Sequence, residues 1–120
     1  MEIVVSSEDR AFISALGSWQ DASENAAALT IDAPVRVPGM SGSWFEIAAA
    51  LGVPGIPLGI AVNLLSSWIW SAFERSPNTT KARIIVRNDK TEVEIAVENI
   101  DAANFNKALE AALDHVNRSE

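Results

Sequence analysis

From Ile47 to Phe73 the chain contains no charged residue, and this stretch constrains the fold more than any other feature. A segment of that length and character belongs in a protein core, under a partner or in a bilayer, because its apolar side chains cannot all face water. Pro54 and Pro57 divide it, since proline lacks an amide donor and disfavours helix in the residue before it. We therefore predict a short helix over residues 43–51, a tight turn, and a longer helix over residues 57–75.

The longer predicted helix combines a wide apolar arc with one polar stripe, and such a width favours a second contact besides the core. Trp68 and Trp70 point about 200° apart on a helix of about 3.6 residues per turn. We predict that Trp68 packs in the core and that Trp70 belongs to a contact surface and is the more exposed of the two. The candidate interaction residues on or beside the apolar segment are Met40, Trp44, Trp70 and Phe73.

The part of the chain before the apolar segment predicts a strand, a helix and another strand. Ile3 to Val5 form a β-branched run, and the apolar spacing that follows indicates a helix over residues 8–20. Apolar and polar residues then alternate over residues 29–37, as in a half-buried strand. Pro34 cannot donate to a sheet ladder, so this strand either lies at an edge or is interrupted there.

Residues 81–98 carry the clearest pattern in the sequence, a β-hairpin with two alternating arms. A turn at Asp89 and Lys90 sets Arg87 opposite Glu92, and this pairing of opposite charges favours the register.

The last helix is predicted to begin after Asp101, a residue type that caps helices. Its core-facing positions recur at helical spacing: Phe105, Leu109, Ala112, Leu113 and Val116. The predicted fold is a single α+β domain over residues 1–120 with the order β-α-β-α-α-β-β-α. Amphipathic helices pack on a small sheet made of the N-terminal strands and the C-terminal hairpin, and an apolar helical hairpin occupies about 44–75.

Composition excludes several classes of function. The 120 residues include no cysteine, which removes disulfides, thiolate catalysis and cysteine-based metal sites and fits a reducing compartment. A net charge of -7 argues against binding nucleic acid, because that affinity comes from Lys and Arg displacing counterions. The opening MEIVVSSEDR lacks the basic region and long apolar run of a signal peptide, so we expect a cytoplasmic protein.

Catalytic candidates are few, and the sequence predicts no enzyme. His115 is the only histidine, and a general base or metal site there needs convergent partners that the sequence does not display. Glu46 stands among apolar neighbours, where desolvation can raise a carboxyl pKa, although a first-turn helix acid is the simpler interpretation. No phosphate loop, nucleophile elbow or zinc-protease signature is present, so no cofactor or metal is expected.

Several segments together resemble the first type of effector-associated constant component, a family of small domains encoded in bacterial NTP-dependent conflict systems. The resemblance covers the amphipathic helix ending in Trp19, the loop over residues 38–42, the helix carrying Leu65 and Trp68, and the hairpin with the terminal helix. Met40 follows the loop glycine where the family commonly has an acid. Residues 69–72 are uncharged where the family tends to place basic residues after the tryptophan.

The resemblance implies a non-catalytic component that couples a separate effector, such as a peptidase, to a sensing or NTPase module. We therefore expect an interaction or adaptor component of a bacterial defence system, with a protein partner or a second copy of itself covering the surplus apolar helix. The alternative is a membrane-active effector whose apolar hairpin over residues 44–73 inserts or oligomerises in a bilayer. A small enzyme acting through His115 or Glu46 is a third possibility.

Overall fold

The architecture is one antiparallel sheet with helices on one of its faces. The computed structural model describes residues 1–19, 29–37, 44–51, 57–75, 81–98 and 102–118. In chain order the elements are β1 (Glu2–Ser7), α1 (Arg10–Gly17), β2 (Leu29–Ile31), β3 (Val35–Val37), β4 (Trp44–Leu51), α2 (Leu58–Arg75), β5 (Lys81–Arg87), β6 (Glu92–Glu98) and α3 (Ala102–Arg118). The α+β class predicted from the sequence is confirmed.

The N-terminal strands and the C-terminal hairpin share the sheet, as the sequence predicts. The strand order is β2-β4-β1-β5-β6, and β3 pairs with the other end of β4. The strand predicted over residues 29–37 is divided at Pro34 into β2 and β3, which follow one another along the same edge. The hairpin register is also confirmed, since Arg87 lies opposite Glu92.

The helix predicted over residues 43–51 is wrong, because these residues contain the strand β4. β4 pairs with β1 on one side and with β2 and β3 on the other. Ile47 and Ala49 are buried in the core, while Ala48 between them faces the other side of the sheet. In place of the apolar helical hairpin at about 44–75, the structure has the interior strand β4 and the helix α2, and the observed order of the described elements is β-α-β-β-β-α-β-β-α.

The three described helices contribute to one core on the inner face of the sheet. α1 packs on β1 and β4, α3 packs on β5 and β6, and α2 packs against both of these helices. Apart from Val4, the buried apolar residues of the described strands and helices form one cluster. Trp68 is fully buried, and its indole Nε1 donates to the backbone oxygen of Leu16 at 3.0 Å, which satisfies a carbonyl in the last turn of α1.

The helix ends show where local sequence signals act. α1 is shorter than the predicted helix over residues 8–20, and Asp9 is its N-cap. The Asp9 carboxylate accepts from the backbone N of Ala11 at 2.9 Å. α2 begins one residue after the predicted start, and the predicted core stripe of α3 is buried. The cap predicted at Asp101 lies outside the described residues.

Candidate interaction surfaces

Trp70 lies on the solvent-facing stripe of α2. Ser67 and Glu74, at spacings of three and four from Trp70, and Asn63, seven residues before it, are exposed and polar. Trp70 itself is partly buried, whereas Trp68 is fully buried. The prediction that Trp70 is the more exposed of the two tryptophans is confirmed.

The Trp70 ring is not a free surface ring, because it leans on two aromatic neighbours. Its centroid lies 5.7 Å from that of Phe73 and 6.2 Å from that of Phe105 on α3. Phe73 is also partly buried, and its centroid lies 4.6 Å from that of Phe12 on α1. Trp70 and Phe73 thus form an aromatic patch that is half core and half surface, and we call these two residues the α2 patch.

A polar contact beside the α2 patch joins α2 to α3. The Ser66 hydroxyl, one turn before Trp70, donates to the side-chain oxygen of Asn106 on α3. This bond and the Trp70–Phe105 ring contact join the two helices at neighbouring levels. The α2 patch therefore sits on two helices joined by side-chain contacts, which favours recognition without large ordering costs.

Trp44 lies on the outer face of the sheet, on the opposite side from the helices. The Arg83 guanidinium sits over its ring at 5.9 Å from the centroid. Arg83 Nε in turn lies 2.8 Å from a carboxylate oxygen of Glu94. These three side chains form a row across the outer face of the sheet from β4 to β6. On the same face, Val4 of β1 is buried.

The structure does not bring the four predicted interaction residues together. Trp70 and Phe73 belong to the helical layer, and Trp44 belongs to the outer face of the sheet. Met40 lies outside the described residues. A single surface containing Trp44 and the α2 patch is therefore not available, and a partner would meet one side of the domain or the other.

The two residues considered for catalysis are also far apart in the architecture. Glu46 is partly buried on the outer face of β4, opposite Ser6 of β1. His115 is exposed on α3. Among the described residues, no group of three or more His, Asp or Glu side chains could hold a metal ion.

The sequence predicts Arg87 opposite Glu92, but sequence reasoning missed the other ion pairs that cover the outer face of β5 and β6. Lys81 pairs with Glu98 at 3.8 Å, and Arg87 pairs with Glu92 at 3.6 Å and also with Glu2. Hydrogen bonding to Glu2 raises the pKa of Arg87 above its ordinary value. The alternation of basic residues in one arm and acidic residues in the other was the signal for this charged face.

Comparison with known proteins assigns neither a family nor a function to this chain. The chain matches no protein-family model, no curated protein and no solved structure.

Proposed function

We propose that this protein is a non-catalytic interaction component of a bacterial conflict system, which works in the cytoplasm and couples to a separate effector such as a peptidase or to an NTPase-linked component. The observation that carries the proposal is the α2 patch. Trp70 lies on a polar, solvent-facing stripe of α2, and both Trp70 and its neighbour Phe73 are only partly buried. Partly exposed, rigidly held aromatics are typical anchors of protein interfaces.

The family resemblance supports the same proposal from a different direction. It covers α1 with Trp19 after it, the helix carrying Trp68, and the hairpin with the terminal helix. In the folded chain these segments contribute to one core, with the α2 patch at its surface. A component with this layout presents a docking surface and leaves the chemistry to its partner.

The test is co-purification of the tagged protein from its native host, followed by reconstitution with the purified candidate partner. We expect recovery of a peptidase or NTPase that binds the wild-type protein directly. Trp70→Ala should weaken that binding, because buried interface tryptophans often contribute about 2 kcal/mol or more. Ser67→Ala, one turn earlier on the same exposed stripe, is the matched control and should bind normally.

Two results would contradict this proposal or the part assigned to the α2 patch. A peptidase or NTPase that binds wild type and Trp70→Ala equally would exclude the α2 patch as its docking surface. A monomer from which no such partner can be recovered and reconstituted would contradict the proposed function as a whole.

The membrane-active alternative would require β4 to leave the sheet. β4 pairs with β1 on one side and with β2 and β3 on the other, so insertion of the segment 44–73 would break all three ladders. Among the described residues, no helix is long and apolar enough to cross a membrane. Release of a dye from liposomes by the purified protein, with or without its activator, would overturn our preference for the interaction component.

A further inference from the structure

The two edges of the sheet are built differently. One edge consists of β2 and β3, which have three residues each and are separated by Pro34. The other edge is β6, a regular strand of seven residues without proline. Among the described strands only β5 pairs with β6. A long, regular edge of this kind can accept an additional strand, whereas a short edge interrupted by proline resists one.

The backbone groups on the open side of β6 follow from the hairpin. The backbone N of Asn88 donates to the backbone oxygen of Thr91 at 3.0 Å. Asn88 and Thr91 are therefore the first hydrogen-bonded residue pair of the hairpin. Hydrogen-bonded and non-hydrogen-bonded pairs alternate along an antiparallel ladder. By the observed register, the residues of β6 whose amides and carbonyls point away from β5 are Glu92, Glu94, Ala96 and Glu98.

Three of these four residues carry acidic side chains on the outer face. The carboxylates of Glu92, Glu94 and Glu98 each have a basic partner on β5, yet their side chains remain 57%, 51% and 62% exposed. A carboxylate has two oxygens and accepts more than one donor. Each of these acids can therefore bind a second cation from a strand added on its open side.

A second copy of this chain does not fit the edge. Antiparallel pairing of two β6 strands centred on Ile95 would set Glu92 opposite Glu98 of the second copy. Centring the pair on Glu94 would set that residue opposite itself, and like charges directly opposite one another destabilise a strand pair. β5 shows which chemistry satisfies β6, since it presents basic residues on the outer face and apolar residues to the core.

We propose that the open edge of β6 binds an extended segment of a partner protein in which Lys or Arg alternates with β-branched or other apolar residues. Backbone hydrogen bonds supply the pairing, and the column of glutamates selects basic residues on the outer face. The net charge of -7 draws such a segment in from solution. This inference does not depend on the proposed function, because the edge is separate from the α2 patch.

The probe for the test is a blocked peptide with the sequence of β5, KARIIVR, labelled for fluorescence anisotropy. We expect the full-length protein to bind it, with an affinity that falls as salt is raised. The charge-reversed peptide EAEIIVE keeps the apolar residues and should bind at least about tenfold more weakly. Absence of binding to KARIIVR, or equal binding of the two peptides, would overturn the proposal.

Ala96→Pro tests whether the contact is strand pairing. Proline at this position removes an amide that points to the open edge, so the ladder with β5 keeps its hydrogen bonds. We expect at least about tenfold weaker binding of KARIIVR, whereas Ala96→Ser should bind like wild type. Unchanged binding by folded Ala96→Pro would contradict strand addition.

Peptides with methylated backbone nitrogens keep the test decisive if Ala96→Pro does not fold. Two versions of KARIIVR, methylated at odd or at even positions, differ only in which edge of the peptide can donate. Loss of binding by one version and not the other supports strand pairing. Equal binding by both versions contradicts it.

Discussion

Replacing the two tryptophans of α2 separately tests how the core and the surface divide on this helix. Trp68 is fully enclosed, and its indole donates to Leu16 at 3.0 Å. Trp68→Ala therefore opens a large cavity and removes a buried hydrogen bond, and we expect a loss of about 3 to 5 kcal/mol in the free energy of unfolding. Trp70 is partly exposed and rests on Phe73 and Phe105.

The expected loss in the free energy of unfolding is smaller for Trp70→Ala than for Trp68→Ala, because the partly exposed Trp70 ring makes fewer contacts. Two aromatic contacts at about 0.5 to 1.5 kcal/mol each, on a ring that is only partly buried, give about 1 to 2 kcal/mol. Helical angles alone place Trp70 away from the core, and the contacts of its ring with Phe73 and Phe105 add this contribution to stability. One side of the Trp70 ring therefore packs against the fold, and the other side is open to a partner.

Thermal unfolding followed by circular dichroism measures the difference. With an unfolding entropy of about 2.1 cal/mol/K per residue, the 120 residues give about 0.25 kcal/mol per degree. Trp68→Ala should lower the Tm by about 12 to 20 °C and Trp70→Ala by about 4 to 8 °C. Trp68→Phe separates the cavity from the hydrogen bond and should fall between them, near 2 kcal/mol. Equal losses for the two alanine variants would refute the division into core and surface.

Three further predictions follow from the caps, the outer face and the central strand. Asp9→Ala removes the N-cap of α1 and should cost about 1 kcal/mol in chemical denaturation, whereas Asp9→Asn should cost less; no difference between the two would contradict a capping role. Arg83→Ala removes the contacts to Trp44 and Glu94 and should cost about 0.5 to 2 kcal/mol, more at low salt than at high salt; a loss independent of salt would show that only its packing matters. In hydrogen exchange the amides of β4 that are bonded to neighbouring strands should be among the slowest in the chain, and rapid exchange there would contradict its central position.

The hairpin and the last helix could be predicted because their patterns have one interpretation. Alternation over residues 81–98 fits only a strand, and the spacing from Phe105 to Val116 fits only a helix. The segment around Ala48, Ala49 and Ala50 fits both periods, because three alanines in a row give no contrast between faces. Alanine favours a helix locally, and pairing on both sides of β4 overrides that preference.

The candidate surfaces could be predicted only in part for a related reason. Helical angles were enough to separate Trp68 from Trp70, since both lie on one element. Strand order is a property of the whole fold, and no local pattern places Trp44 on the outer face or leaves β6 at an edge. Long-range pairing therefore decides which residues can form a surface together.

The position of β1 in the middle of the sheet has a consequence for synthesis on the ribosome. β1 precedes the other described strands, yet one of its two neighbours, β5, begins only at Lys81. At about 5 to 20 residues per second, one side of β1 stays unpaired for roughly 4 to 16 seconds while the intervening chain is made. The nascent chain therefore exposes the edge of Ile3–Val5 throughout that interval, and a chaperone that covers short apolar strands should increase the yield of native protein.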